Sequence, residues 1–471
     1  MGSDTPQSNP DESEVHMDRE VLESVQSELD SYLGEFHDCF RSQPSRTHMG
    51  TYVKGQLGPL QRKSVEPIAL KAGLPPRTLQ QFLGAHRWDE AAMGTRVREI
   101  VARDHAHEIA IGVIDETSFS KKGGKTVGVQ RQWCGETGKV DNCVQTVHLS
   151  YVGDKFATPI DGDLYLPQSW VQDPERCAEA GVPTSVAFRT KLQIALDLVD
   201  RSRRDGIELS WITTDEFYGR APVFREGLSE RGLRFVLEVP VDIMGWTPRG
   251  LARKREHRRV DEMFKRGGPS WINYHVKDST KGPVVWQVRA TRFIPHAGTE
   301  VCELWLLIAH NPLTGELKYF LSNAPEDTPI ETMLAVAFAR WNVERNFQDS
   351  KQEIGFNDFE VRTYTALQRH LALSMVSHLF LVRAARVLQD KMTTRWSLRQ
   401  ARELANTLVD QTLTPEQRER DLEYVLRKNR YYDQRAKVAE RAHAKRRERE
   451  LREAGLDLQA MKRCRSGELA L

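Results

Sequence analysis

Three acidic residues stand far apart in the sequence, at positions where carboxylates can act together. Asp115 follows the apolar run 109–113, Asp215 ends a second run, 209–214, and Glu344 lies in a stretch with helical periodicity. Three converging carboxylates repel one another unless cations balance their charge. Mg²⁺ prefers such hard oxygen ligands, and two Mg²⁺ ions can activate the attacking oxygen and stabilise the leaving oxygen of a phosphoryl displacement. The acids therefore predict a two-metal site for a phosphodiester.

Each acid on its own also has an ordinary structural interpretation. An aspartate at the end of a strand usually closes a turn or caps a helix, and Glu344 alone is typical of an exposed helix residue. Four neighbouring acids compete for the same ligand roles: Glu116, Glu216, Asp349 and Glu353. Because side chains alternate along a strand, Glu116 and Glu216 are expected on the side opposite to their aspartates.

The stretch around Glu344 favours an active role for this residue. A single continuous helix is predicted here, with Arg340 one turn before Glu344 and Lys351 two turns after it. These three side chains then share one face, since residues at such spacing are neighbours on a helix. Two cations beside a metal-binding carboxylate are well placed to hold phosphates. Trp341 and Phe347 are expected to anchor this helix to the core.

Composition fits a soluble globular protein of two or three domains. The chain has 471 residues, of which 39% are hydrophobic and 28% charged, and its formal net charge is only +2. The charge is unevenly distributed, since residues 1–31 contain nine acids and one base, whereas residues 427–453 contain eleven Lys or Arg and five Asp or Glu. Such asymmetry favours a polyanion as partner, although a basic run alone is also typical of a solvated helix.

Neither secretion nor membrane insertion is indicated by the sequence. The six cysteines include no CxxC pair and no zinc-finger spacing, which favours reduced thiols in the cytoplasm. The N-terminus is acidic and lacks the apolar segment of a secretory signal. The apolar stretch 371–382 is too short to span a bilayer. We therefore expect a cytoplasmic protein with no membrane association.

The periodicity changes along the chain and predicts six segments. Strand-like runs at 109–115, 127–133 and 144–152 begin a mixed α/β part, in which a polar segment precedes a helix near 187–205. The predicted segments are a disordered acidic tail, 1–18; a helical N-terminal domain, 19–108; the first part of a catalytic core, 109–240; a β-rich insertion domain, 241–323; the second part of the core, 324–364; and a C-terminal helical region with a basic tail, 365–471.

Residues 62–83 have the pattern of a helix-turn-helix. A helix, a turn at Gly73 and a second helix opened by Pro75 and Pro76 follow one another. The second helix of such a unit can enter the major groove of DNA. An ordinary pair of helices in a bundle has the same pattern, so both interpretations stay open.

Taken together, the motifs resemble those of bacterial insertion-sequence transposases of the DDE class, from the N-terminal helices to about residue 385. The resemblance rests on the order, spacing and context of four motifs: Asp115-Glu116-Thr117, Lys121-Lys122-Gly123, Asp215-Glu216-Phe217-Tyr218-Gly219, and the helix with Arg340, Glu344 and Lys351. It implies an α/β protein with an RNase H-like catalytic core, in which helices flank a mixed sheet. A β-rich domain is inserted between the second Asp and the Glu, and helical domains lie at both ends of the chain.

The resemblance also implies a function and a set of site residues. Asp115, Asp215 and Glu344 are then the catalytic residues and the ligands of two Mg²⁺ ions, for which Mn²⁺ can substitute. The chain is expected to cut double-stranded DNA at transposon ends and to join the freed 3′-hydroxyl to target DNA. It is expected to act as a homodimer in the cytoplasm, in association with the nucleoid. Contacts to DNA are expected from seven basic residues: Arg340, Lys351, Lys121, Lys122, Arg253, Lys254 and Arg258.

Two features of the sequence concern how relatives handle the DNA end. Relatives have a tyrosine three residues before the Arg of the helix signature, where this chain has Ala337. Relatives also stack an aromatic side chain of the insertion on a flipped base. Trp286 and Trp305 are candidates for this role, as are Trp246 and Trp271. The strand-like runs around Trp286 and Trp305 also predict core positions for them.

Three functions are consistent with these patterns. An active transposase is the leading hypothesis. The first alternative is a catalytically silent or domesticated DNA-binding regulator, derived from a transposase, that binds DNA without cutting it. The second is a nuclease of the same fold that cuts DNA but does not join it.

Overall fold

The structure, a computed structural model, describes residues 27–153, 155–265, 267–297, 302–410 and 413–464. The predicted acidic tail, 1–18, lies outside these described residues. The chain divides into two compact units. The first unit comprises the described residues up to 96 together with 349–361 and 365–435. The second comprises 97–348, 362–364 and the described residues from 436 onward.

Every strand of the described residues belongs to the second unit. The strands are β1 Ile111–Ser120, β2 Gln130–Cys134, β3 Lys139–Gly153, β4 Phe156–Tyr165, β5 Trp211–Thr214, β6 Arg234–Val239, β7 Met244–Trp246, β8 Arg258–Arg259, β9 Ile272–Ser279, β10 Gly282–Pro295, β11 Leu304–His310, β12 Leu317–Ser322 and β13 Lys462–Arg463. They form one sheet in the order β13-β9-β10-β11-β12-β6-β5-β1-β3-β2, with β4 on β3, β7 on β10 and β8 on β7.

Helices occur in both units. Those wholly within the second unit are α6 Gln168–Val171, α7 Pro174–Glu179, α8 Lys191–Arg204, α9 Glu216–Gly219, α10 Pro222–Glu230, α11 Pro248–Ala252 and α12 Ile330–Phe338. The first unit contains the described part of α1, 27–34, and α2 Gln43–Leu57, α3 Val65–Lys71, α4 Pro76–Gly84 and α15 Leu398–Val409. Four more helices contribute residues to both units: α5 Glu90–Asp104, α13 Trp341–Ile354, α14 Tyr364–Lys391 and α16 Pro415–Glu453.

The centre of the sheet has the strand arrangement of an RNase H-like fold. β1 pairs antiparallel with β3, which pairs antiparallel with β4. On its other edge β1 pairs parallel with β5, which pairs parallel with β6. α8 packs against β3 and β4, and α12 packs against β5 and β6. The predicted mixed sheet flanked by helices is confirmed.

The segment predicted as a β-rich insertion, 241–323, forms strands β7 to β12. β9 to β12 extend the central sheet beyond β6, because β12 pairs antiparallel with β6 from Tyr319↔Val239 to Ser322↔Val236. β13, from the end of the described chain, pairs in parallel with β9. Strands of the insertion and strands of the core therefore share one sheet.

The first unit is built around α14. The side chains of Tyr52 and His370 share a hydrogen bond of 2.9 Å, and Gln56 Nε2 donates to Ser374 Oγ at 2.9 Å. By length and composition α14 could cross a membrane, but 83% of its most apolar window is buried inside the protein. Its apolar surface is thus that of a core helix.

The helix pair predicted within 62–83 is present as α3 and α4. Gly73 follows α3 with φ +68°, a conformation that glycine adopts without steric cost. The backbone N–H groups of Gly73 and Leu74 donate to Leu70 O and Ala69 O and so close the end of α3. Recognition of DNA by α4 stays a prediction.

Candidate active site

Asp115 lies where β1 loses its parallel neighbour. β1 pairs with β5 only as far as Ile114↔Thr214, but it continues along β3 to the pair Ser120↔Cys143. The strand that was predicted to end at Asp115 is therefore longer, because β3 supplies backbone partners beyond the end of β5. The Asp115 side chain is largely buried, at 14% exposure.

Asp215 follows β5 directly and caps the short helix α9. Its Oδ1 accepts hydrogen bonds from the backbone N–H groups of Phe217 and Tyr218, at 3.1 and 3.4 Å. The helix-cap interpretation is confirmed, and the cap fixes this carboxylate at the end of its strand. Asp115 and Asp215 each stand one residue beyond the pair Ile114↔Thr214, on neighbouring strands about 4.8 Å apart.

Burial and like charge make both aspartates hold protons more tightly than usual. Burial raises the pKa of Asp115 to about 7, and the charge of Asp215 adds to the increase. Burial raises the pKa of Asp215 to about 6, with Glu116 as the main charge that adds to it. Arg340 lowers the pKa of both. Ionising this pair is costly, and a nearby cation reduces the cost.

The helix that carries Glu344 is interrupted just before it. α12 ends at Phe338 and α13 begins at Trp341, with Ala339 and Arg340 in a turn. The buried side chain of Asn342 donates from Nδ2 to Ala339 O at 3.0 Å, and such bonds compete with the backbone bonds of a helix. The prediction of one continuous helix was wrong: at the turn, the backbone N–H groups of Asn342 and Val343 bond the carbonyls three residues before them, Ala339 O and Arg340 O.

The Arg340 guanidinium faces three carboxylates from three elements. Nη2 is 2.9 Å from Glu344 Oε1, Nη1 is 3.4 Å from Asp115 Oδ2, and Nε is 3.6 Å from Glu238 Oε2. Burial opposes the charge of Arg340, but these acids and Asp215 raise its pKa above the usual range. The structure thus brings the three predicted acids to the surroundings of one cation.

Glu238 was not considered from the sequence. It lies on β6, and its Oε1 is 2.7 Å from Nζ of Lys318 on β12. The available signal was a charged residue inside the otherwise apolar run Phe235–Val239, since charged side chains are rarely buried without a partner. Its two partners, Lys318 and Arg340, are distant in sequence and gave no local pattern.

Glu116 lies closer to the acid pair than strand alternation suggested. Its Oε1 is 2.7 Å from Lys191 Nζ, and its Oε2 accepts a hydrogen bond from Tyr218 Oη at 3.4 Å. Its charge also raises the pKa of Asp215. Alternation gives the face of the sheet but not the reach of a long side chain.

The acids suit a divalent cation, but they do not form a closed cage. Among the described residues, no three acid, imidazole or thiol groups lie close enough to hold a metal ion. The Glu344 side chain, 52% exposed, contacts Arg340 instead. Two partly buried aspartates with raised pKa values are the hard oxygen donors that Mg²⁺ takes. The aspartate pair therefore fits such an ion.

Comparisons with known proteins bear on the same residues. The family model described as DDE superfamily endonuclease matches residues 35–286, more than half of the chain. The chain belongs to the DDE superfamily of endonucleases. The matched range includes Asp115 and Asp215 and ends before Glu344.

Two individual proteins are similar to this DDE endonuclease. A probable transposase for insertion sequence element IS701, from Microchaete diplosiphon, is 24% identical over 318 residues, which cover 67% of this chain and 76% of the relative. With the family match, it confirms the resemblance to insertion-sequence transposases of the DDE class. A cryo-EM structure of a piggyBac transposase synaptic complex with hairpin DNA matches 87% of this chain and 82% of that chain, with a TM-score of 0.41 and 9% identity.

The other predicted DNA contacts of the DDE endonuclease lie on several elements. Lys121 and Lys122 follow β1 in a loop, and Lys351 lies on α13 but belongs to the first unit. Three exposed residues lie between α11 and the start of β8: Arg253, Lys254 and Arg258. Of the rival acids, Glu216 is exposed on α9, and Glu353 in the first unit forms a 2.8 Å ion pair with Arg402.

The tryptophans of the DDE endonuclease differ in their surroundings. Trp286 is 4% exposed, and its ring lies 5.0 Å from that of Phe338. Base stacking by Trp286 was therefore a wrong prediction, because the ring fills the core between β10 and α12. Trp305 is half-buried, and its Nε1 donates to Pro325 O at 3.2 Å. Trp341, which was expected to anchor α13, is instead 50% exposed, whereas Phe347 is buried, as are Val343 and Ile354 of the same helix.

Proposed function

We propose that this DDE endonuclease is a transposase that cuts double-stranded DNA at insertion-sequence ends and joins the freed 3′-hydroxyl to target DNA. The observation that carries the proposal is the cluster around Arg340. Asp115 and Glu344 contact this guanidinium, and the charge of Asp215 also acts on it. Like-charged groups on separate elements are rarely brought together unless a cation compensates them. The similarity to the insertion-sequence relative supports the same proposal.

The three acids are proposed to hold two divalent ions, Mg²⁺ or Mn²⁺. When bound, the ions activate the attacking oxygen of the phosphodiester reaction and stabilise its leaving oxygen. Asp115 and Asp215 would hold the ions in their charged form, which is costly in the ion-free protein because burial raises their pKa values. The α9 cap would keep Asp215 in position for this role.

Basic residues are proposed to hold the DNA through its phosphates. Arginine and lysine contacts to phosphates position a protein on DNA and do not read its sequence. The proposed contacts are Arg340, Lys351, Lys121, Lys122, Arg253, Lys254 and Arg258. Two copies of the chain are proposed to hold two transposon ends as a homodimer, in the cytoplasm beside the nucleoid.

A nicking assay on end DNA tests this function. Asp115→Asn keeps the size of the side chain but removes its charge, so Mg²⁺-dependent nicking should fall to background while DNA binding remains. The matched control is Glu216→Gln, because Glu216 is next to Asp215 in sequence but exposed on α9; this variant should nick as the wild type does. Undiminished nicking by Asp115→Asn would refute the proposal. Joining of pre-nicked ends to target DNA distinguishes a transposase from a nuclease.

A DNA-binding regulator without cleavage is the second candidate. It is favoured by the contacts of Arg340 with Asp115 and Glu344, which leave the acids short of a closed metal cage. Such a protein binds one end sequence in preference to others and produces no nick with Mg²⁺ or Mn²⁺. The same nicking assay therefore separates the two candidates.

A further inference from the structure

Glu238 is a partner of Arg340 that the proposed metal chemistry leaves without a role. Its side chain is 17% exposed, and its two oxygens serve two cations. Oε1 is 2.7 Å from Lys318 Nζ, and Oε2 is 3.6 Å from Arg340 Nε. β6 and β12 are hydrogen-bonded neighbours, so Lys318 fixes Glu238 from the adjacent strand.

The backbone of Glu238 is also held in place. Gly219, the last residue of α9, lies so close that a Cβ there would be 1.9 Å from the Glu238 carbonyl oxygen. Asp215 caps this same helix. Glu238 is therefore fixed against α9, and the Arg340 guanidinium lies between Glu238 and the acids, since it contacts Glu238, Asp115 and Glu344.

We infer that Glu238 is a positioning residue, which holds Arg340 from its Nε side and limits the contact of Arg340 with Asp115 and Glu344. This inference rests on the proposed function, because it concerns cation binding by these acids. Arg340 and a divalent ion compete for Asp115 and Glu344, since both are positively charged and reach the same carboxylates. Without Glu238, the guanidinium turns wholly to Asp115 and Glu344 and competes more strongly.

Two effects of replacing Glu238 must be distinguished. Loss of its negative charge weakens the binding of any nearby cation through space. Loss of its reach to Arg340 weakens binding only through the competition. Glu238→Asp keeps the charge and shortens the side chain by one methylene group, so it isolates the second effect.

The experiment measures how tightly the full-length protein binds Mn²⁺ in the absence of DNA. The EPR signal of free Mn²⁺ reports how much of the ion is not bound. Glu238→Asp should weaken the binding about fivefold, which is at the low end of couplings between linked sites, and Glu238→Gln should weaken it at least as much. The matched control is Glu316→Gln, because Glu316 lies 3.8 Å from the same Lys318. This control should bind Mn²⁺ as the wild type does.

A double variant shows whether the effect of Glu238→Asp on Mn²⁺ binding depends on Arg340. With Arg340→Gln present, Glu238→Asp should no longer change the affinity for Mn²⁺. Unchanged affinity in Glu238→Asp alone would overturn the inference, and so would an equal loss in the Arg340→Gln background. A wild type that binds Mn²⁺ no better than Asp115→Asn would instead refute the metal chemistry of the proposed function, and the inference with it. Thermal unfolding verifies that each variant is folded. If Glu238→Gln does not fold, Glu238→Asp alone tests the inference.

Discussion

The stability of the folded protein and the proposed binding of metal ions both depend on whether Asp115 is protonated. Burial and the charge of Asp215 raise its pKa to about 7, and Arg340 lowers it. The ordinary pKa of an aspartate is 3.8, and we expect that value in the unfolded chain, where the group is in water. Between these two values the folded protein binds more protons than the unfolded chain does. The free energy of unfolding of the metal-free protein therefore falls as the pH rises from about 4 to about 7.

Asp115→Asn removes this titration. At pH 8 the variant should be more stable than the wild type in the absence of metal, by about 1–3 kcal/mol, and at pH 4 the gain should be absent. Urea unfolding at the two pH values measures the difference. Asp390→Asn is the control, because its side chain is 69% exposed and should show neither effect. Equal stability of Asp115→Asn and wild type at pH 8 would contradict the burial argument.

The sequence identified some residues of the site and missed others for a physical reason. Asp115 and Asp215 end apolar runs, so a local pattern marks them. Glu238 is marked by its contacts with Lys318 and Arg340, and Lys318 is 80 residues away. Pairing across strands is decided by the fold, which a local pattern does not contain.

At the level of elements, β4 shows that a local sequence pattern can miss a whole strand. The polar segment that contains it was not predicted as a strand. Asp161 and Asp163 lie on this strand and are each 5% exposed. Asp161 is 3.0 Å from Arg98 and 2.9 Å from Arg201, and Asp163 is 3.3 Å from Arg201. The ion pairs allow a polar sequence to occupy a buried strand, since buried charges need partners.

The contact between α9 and β6 is open to a direct test. Gly219→Ala places a Cβ 1.9 Å from the Glu238 carbonyl oxygen, so the backbone of one element must move. We expect a loss of about 3 kcal/mol in the free energy of unfolding, at the upper end for overpacking, measured by urea unfolding. Gly135→Ala is the control, because a Cβ there meets nothing within 4 Å. Equal stability of the two variants would show that this contact does not hold α9.

α4 gives a prediction about sequence recognition. Its exposed face carries Arg77, Gln80 and Gln81, whereas Leu79 and Phe82 are buried. Replacing Gln80 and Gln81 by alanine should reduce the preference for end DNA over random DNA, because glutamine can bond base edges in the major groove. Fluorescence anisotropy on both DNAs measures this preference. An unchanged preference would favour an ordinary helix pair.

The whole molecule has a net charge of only +2, so the proposed binding of DNA depends on local basic surfaces. Replacing Arg253, Lys254 and Arg258 together by alanine should reduce the slope of log affinity against log salt by about 0.9 for each phosphate that the variant no longer binds. Lys139→Ala is the control, since Lys139 is 70% exposed but is not a proposed contact. A slope that is the same in both variants would remove these three residues from the DNA surface.

The division into two units could not be predicted from the sequence. Residues 349–361 and 365–435 join the N-terminal helices in the first unit. Contacts such as that of Gln56 with Ser374 connect residues 318 positions apart. Helical periodicity showed that these segments are helices, but it carries no information on which helices pack together.

The central claim is that Asp115, Asp215 and Glu344 bind divalent metal ions. The most direct measurement is the manganese anomalous signal from crystals grown with end DNA and Mn²⁺. We expect density for Mn²⁺ between Asp115 and Asp215, with Glu344 turned from Arg340 towards the ion. Crystals in which Arg340 still contacts Asp115 and Glu344, with no manganese signal at either aspartate, would contradict the claim.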